Sequence, residues 1–244
     1  MMQIWTGLLL RVENEAQLAA VVAHEMGHYL ERHSLEQLRD LKGRAAAAMV
    51  MGLFGAVGAI GQLGTLAGAF SFSRENESRA DQMSMYLLQK AGYDGREAAR
   101  IWDNLIAELR VTGGEDAGRK SPMFASHPPP QNRAEDLLRL ADGRGGDADT
   151  QALRRVTARF RLDWLQDEIK RGQFEESLIL FNRLLKAAPD DAQVLFSRGE
   201  IHRQRAAKDD LDAAMTDLTR AATLPGAPAE AWREMQEGNE RFVA

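Results

Sequence analysis

Cysteine is absent from the 244 residues. That excludes a disulfide framework, and it leaves histidine and carboxylate side chains to bind any metal. It does not identify a compartment. An excess of basic charge is also missing. The formal net charge is −5, so composition gives no reason to expect nucleic acid as a partner. A secretory leader is not found either. "MMQIWTGLLLRVENEA" has no basic residue before Arg11, a short apolar run and no small-residue cleavage site. A cytoplasmic protein and a mature or truncated chain both read this way. What is present, 44% hydrophobic and 27% charged residues, is ordinary for a soluble globular chain of one large or two modest domains.

Charge is missing from one long stretch. Between Arg44 and Arg74 lie 29 consecutive uncharged residues. The length suffices for a membrane-spanning helix. Six glycines at three- or four-residue spacing (Gly52, Gly55, Gly58, Gly61, Gly64, Gly68) would allow close helix contact. The run is only mildly apolar, and a single span here would separate the flanking parts. Two short buried helices with a glycine-rich hinge are therefore the favoured reading. Contact of residues 45–73 with a membrane surface stays open.

Along the chain, "QIWTGLLLRV" (3–12) reads as a short apolar strand. Asn14 is a candidate N-cap, with Gln17 at capping-box spacing. Helical periodicity follows through Leu18, Val21, Val22 and Met26, and predicts a helix to about Asp40. "RENESRADQMSMYLLQKAG" predicts a helix ending at Gly92, and "GREAARIWDNLIAELR" another. "VTGGEDAGRKSPMFASHPPPQNR" reads as a loop, "AEDLLRLADG" as a short helix and "GRGGDADT" as a linker. From about residue 152 the chain is almost all amphipathic helix. Ser177, Phe181 and Pro189 have the small–aromatic–proline spacing of a tetratricopeptide second helix. Leu195 and Gly199 lie in the following helix, and Pro225 recurs 36 residues after Pro189. Such repeats stack into a concave surface for protein segments. A plain helical bundle is the other reading.

The chemistry is concentrated in "AVVAHEMGHYLERH" (20–33). Residues four apart share a helix face, so His24 and His28 can aim their imidazoles at one point, with Glu25 beside it. This is the HExxH pattern, in which two histidines bind zinc and the glutamate acts as general base. A polar notch on an ordinary helix would look the same. Catalytic zinc needs a third protein ligand and an open fourth position. His33 is off the spacing for that role and reads as a partly exposed helix residue. "NESRAD" (76–81) offers Glu77 as ligand, and Asp81 as acceptor for a ring nitrogen of a ligating histidine. Its alternative is a solvated face, with Arg74 and Arg79 as ion-pair partners.

"HEMGH" followed about fifty residues later by "SRENESRAD" resembles the zinc peptidase family that includes the CaaX prenyl protease, HtpX and the periplasmic β-barrel assembly-enhancing protease. The lead-in "TGLLLRVENEAQLAAVVAHEMGH" and "FASHPPPQNRAEDL" (124–137) resemble the same family. The likeness covers roughly residues 4–138, and the trailing helical repeats resemble the periplasmic branch. The resemblance implies one zinc ion per chain, held by His24, His28 and Glu77. It makes Glu25 the catalytic base and Asp81 the outer partner. His127 and Arg133 are candidates to stabilise the oxyanion, since zinc needs a second donor beside it. His127 also reads as a fourth ligand that holds the enzyme latent, or as a plain loop residue.

The expected fold is mainly α with a small β element. A gluzincin-type metalloprotease domain over 1–140, N-terminally truncated, is followed by a linker (141–151) and tetratricopeptide-like helices (152–244). The expected function is a zinc metalloendopeptidase acting on protein or peptide substrates in envelope or membrane protein quality control. It would be periplasmic or membrane-associated by resemblance, with protein partners bound through the repeats. The alternative is a repeat-based chaperone or scaffold with a vestigial or latent protease site.

Overall fold

A computed structural model describes residues 2–51, 73–114, 133–231 and 233 of the chain. Ten helices account for most of them: α1 (Thr6–Arg11), α2 (Glu15–Leu30), α3 (His33–Met51), α4 (Arg74–Ala91), α5 (Arg96–Gly113), α6 (Arg133–Ala141), α7 (Gln151–Lys170), α8 (Phe174–Ala187), α9 (Ala192–Arg205) and α10 (Asp210–Thr223). Residues 52–72 of the glycine-rich run, and residues 115–132, which include His127, lie outside the described residues. Among the described residues no helix is long and apolar enough to cross a membrane. The only β feature among them is an isolated parallel bridge between Tyr93 and Asp147. The expected β element is reduced to that.

The chain divides into two compact units. The first takes residues 1–2, 14–106 and 113–150. The second takes 3–13, 107–112 and 151–244. In the first unit, α2 packs along α4, and α4 packs on α6. The α2 side of that seam is made of small residues. Ala16, Ala20, Ala23 and Gly27 are all buried, and Ala80 and Ser84 lie buried on α4. The Ser84 hydroxyl donates to the Ala20 carbonyl at 3.1 Å. Asn14 caps α2 by accepting the Gln17 backbone N–H at 2.8 Å. The Gln17 side-chain amide nitrogen donates to Glu97 at 2.9 Å. Ser73 caps α4 by accepting from Asn76, and the helix stops at Gly92, with φ +82°. The segment expected as a linker is pinned to that stop. Asp147 N–H donates to the Gly92 carbonyl at 2.8 Å, and Asp94 N–H to the Asp147 carbonyl at 3.0 Å.

Two sequence expectations are corrected here. The helix expected to run to about Asp40 breaks. Arg32 takes a left-handed φ of 58°, and α3 starts afresh at His33. Residues 6–11 form a helix, not a strand. A strand needs a partner for its backbone groups, and no partner strand exists among the described residues. A helix satisfies them locally, as in the 3.0 Å bond from Val12 N–H to the Leu8 carbonyl.

In the second unit the core is built from Leu165, Leu180, Phe181, Leu195, Ile201 and Leu218, with Leu10 of α1 among them. Arg11 is buried there. Its Nε donates to Glu108 at 2.6 Å, and its two terminal nitrogens grip Glu168 at 2.9 and 3.0 Å. Helices α8, α9 and α10 are 14 residues each, and α9 packs on both α8 and α10.

Candidate metal centre

Helix α2 carries His24 and His28 on the face that meets α4, and both are buried. Glu77 arrives from the first turn of α4 and is 0% exposed. What lets it arrive is Gly27. A Cβ on that residue would stand 2.8 Å from the Ala80 carbonyl oxygen and 3.0 Å from its Cα. The helices therefore cross in near backbone contact beside the histidines.

Four atoms of three side chains converge. His24 Nε2 lies 3.1 Å from His28 Nε2 and 3.2 Å from Glu77 Oε2. His28 Nε2 lies 3.3 Å from Glu77 Oε1. Zinc bound tetrahedrally at about 2.0–2.1 Å separates neighbouring ligand atoms by roughly 3.3 Å, so the donor set fits the ion in size and in chemistry. Among the described residues this is the one group that could hold a metal. Asp81, one turn on from Glu77, has Oδ1 at 2.9 Å from His24 Nδ1. A carboxylate on Nδ1 leaves Nε2 with the lone pair that binds metal. Burial disfavours a charged His24. The hydrogen bonds from Asp81 and Glu77 nevertheless raise its pKa, with Arg133 opposing. Glu25 sits half-buried on the same helix turn.

Arg133, the first residue of α6, is 1% exposed. One terminal nitrogen lies 2.6 Å from Asp81 Oδ1 and the other 3.4 Å from Glu77 Oε2. The guanidinium lies 3.7 Å over the Trp102 ring. The nitrogen on Asp81 also lies 3.0 Å from His24 Nδ1 and 3.2 Å from His24 Nε2, so the guanidinium stands against the ligand set. His127 lies outside the described residues.

His33 corrects the sequence reading outright. It is 0% exposed, and its Nδ1 lies 2.9 Å from His28 Nδ1. Its Nε2 is 3.1 Å from Arg79 Nε. Burial, then His28 and Arg79, push its pKa down. A continuous helix would have turned this ring away, but the break at Arg32 turns it in. Sequence reasoning also gave no role to Gly27 or Trp102. The glycine stood inside the motif and could have been read as a close-approach position.

A buried His–His–Glu set on two helices, with a glutamate beside the first histidine, has the donor chemistry of a metallopeptidase centre. The chain belongs to peptidase family M48, whose model matches residues 1–141, and the members of that family are zinc metallopeptidases. Similar proteins include the putative beta-barrel assembly-enhancing protease of Vibrio cholerae serotype O1, 27% identical over 235 residues, which covers 76% of this chain and 47% of that one. Metalloprotease YcaL of Escherichia coli strain K12 is 31% identical over 149 residues, covering 58% of this chain and 56% of its own. The mitochondrial metalloendopeptidase OMA1 of Arabidopsis thaliana is 30% identical over 134 residues, 55% of this chain and 26% of its own. The chain thus spans about half the length of the first two relatives and about a quarter of the third.

Proposed function

We propose that this chain is a zinc metalloendopeptidase in which His24, His28 and Glu77 hold one zinc ion and Glu25 is the general base. The observation that carries the reading is the buried convergence of the two Nε2 atoms, 3.1 Å apart, with the two Glu77 carboxylate oxygens 3.2 and 3.3 Å from them. Zinc bound there supplies Lewis acidity, lowering the pKa of water and polarising a peptide carbonyl. Glu25 takes the proton of the attacking water and delivers it to the departing amine. Asp81 fixes the His24 tautomer. Arg133 holds Asp81 and Glu77 in place and offsets their charge.

The four C-terminal helices read as tetratricopeptide-like pairs, α7 with α8 and α9 with α10, that recruit protein clients. Gly199 supports this reading. A Cβ there would meet Leu218 Cγ at 2.8 Å, so α9 and α10 sit as close as a repeat pair requires. The names of the Vibrio and plant relatives point to envelope or membrane protein quality control as the setting, with protein substrates.

Glu25→Gln tests the reading. Zinc content is expected to stay at one per chain while cleavage of an unfolded protein falls by about a hundredfold or more. Zinc bound with no Glu25-dependent cleavage would favour the scaffold reading instead.

A further inference from the structure

Helix α5 carries Ala98, Ile101, Trp102 and Leu105, and all four are buried. Their spacing is that of an ordinary core face. Trp102 stands apart by what it meets. The guanidinium carbon of Arg133 lies 3.7 Å from the centre of its ring. The His24 imidazole lies on it as well, with ring centroids 5.9 Å apart and planes at 75°. One indole therefore touches a buried cation and a candidate metal ligand, from a helix that supplies none of the three ligands.

Arg133 is 1% exposed, so its charge is withdrawn from water. One terminal nitrogen donates to Asp81 Oδ1 at 2.6 Å. Its Nε and other terminal nitrogen make no hydrogen bond among the described residues, although Glu77 Oε2 stands 3.4 Å from the latter. The N–H groups of a guanidinium lie in its plane, so its flat face cannot donate. An aromatic face attracts a cation, and more strongly where water is excluded. Stacked on Trp102, the guanidinium keeps its N–H edge for the carboxylates. An aliphatic side chain would fill the same space without attracting the charge. Asp81 Oδ1 in turn lies 2.9 Å from His24 Nδ1. It is the acceptor for the Nδ1 hydrogen of a ring that gives Nε2 to a metal. The contacts thus run from α5 through Arg133 on α6 and Asp81 on α4 to the ligand on α2.

We propose that Trp102 is a positioning residue of the metal centre: its indole face holds the Arg133 guanidinium with its edge on Asp81, and so keeps the Asp81 carboxylate on His24 Nδ1. The proposal rests on the zinc reading above. Trp102 itself supplies no ligand atom.

The test uses the full chain. Trp102→Phe keeps an aromatic face, and Trp102→Leu removes it. Arg133→Met removes the cation, and Trp102→Leu is also made in that background. Zinc affinity is measured by competition with a chromophoric chelator, the visible spectrum is recorded with cobalt(II) in place of zinc, and folding is followed by circular dichroism. Trp102→Leu is expected to weaken zinc binding about tenfold and to shift the cobalt bands, with helicity retained. Trp102→Phe is expected to stay within about threefold of wild type, with the wild-type spectrum. In the Arg133→Met background, Trp102→Leu is expected to change affinity by less than about twofold, because the partner through which it acts is gone. Equal losses in Trp102→Phe and Trp102→Leu would overturn the proposal. So would wild-type affinity and spectrum in Trp102→Leu, or its full loss persisting on top of Arg133→Met. Should the Arg133→Met proteins fail to fold, the comparison of Trp102→Phe with Trp102→Leu decides on the same terms. His28→Ala serves as the control for the site: if it binds zinc as tightly as wild type, the zinc reading fails and this proposal with it, whereas a weakened His28→Ala confines any failure to Trp102.

Discussion

At the residue scale, a missing methyl group decides how near α4 comes to α2. Any side chain on Gly27 meets the Ala80 backbone, which cannot rotate away as a side-chain tip can. Gly27→Ala is expected to push the helices apart, destabilise the fold by about 1–3 kcal/mol and lower zinc affinity about tenfold or more, read by urea denaturation and chelator competition. Much of this site was legible in the sequence. The four-residue spacing of His24 and His28, and of Glu77 and Asp81, put each pair on one helix face, and the structure brings the two pairs together. The inward turn of His33 was not legible, because it follows from a left-handed Arg32. No glycine, asparagine or proline marks that break. Trp102, under the Arg133 guanidinium, was hidden for another reason: nothing local distinguishes it from any other core aromatic on an amphipathic helix.

At the element scale, capping chemistry was the most readable signal. Asn14 and Gly92 bound α2 and α4 where their side-chain and backbone chemistry says they should. The apolar run at 3–12 misled because short runs do not separate strand from buried helix. What fixes α1 is a distant partner, the Glu168 carboxylate held in two prongs by Arg11. Burial drives Glu108 up despite Arg11 and Arg183, while Arg11 pulls Glu168 down against its own burial. Arg11→Met removes the buried cation the two carboxylates share, leaving Glu108 with Arg183 at 2.9 Å and Glu168 with the more exposed Arg171 at 3.0 Å. It is expected to cost about 3 kcal/mol, read as a lower denaturation midpoint. The turn between α9 and α10 carries a pH signature. Arg205 above all, with His202 and the Ala207 N–H, holds the Asp210 carboxyl far below its usual range, against burial. A depressed folded pKa means stability present above the unfolded value of 3.8 and lost as pH falls below it. Asp210→Asn is expected to cost about 1–2 kcal/mol at neutral pH. The gap from wild type should shrink as the pH of the melts drops below about 4.

At the scale of the whole molecule, the candidate metal centre and the C-terminal helices fall in different compact units. Each unit has its own core: small residues seal the α2–α4 seam of one, and large aliphatic and aromatic residues fill the other. The candidate metal centre belongs wholly to the first. It exists because two helices from separate stretches of sequence cross within backbone contact, so the ligand supplied by the second helix is the point at which the account stands or falls. The direct measurement is zinc per chain in Glu77→Gln against wild type, by elemental analysis after dialysis, with helicity checked by circular dichroism. The expected result is one zinc in wild type and far less in a folded Glu77→Gln. A folded Glu77→Gln that keeps one zinc at wild-type affinity would contradict it.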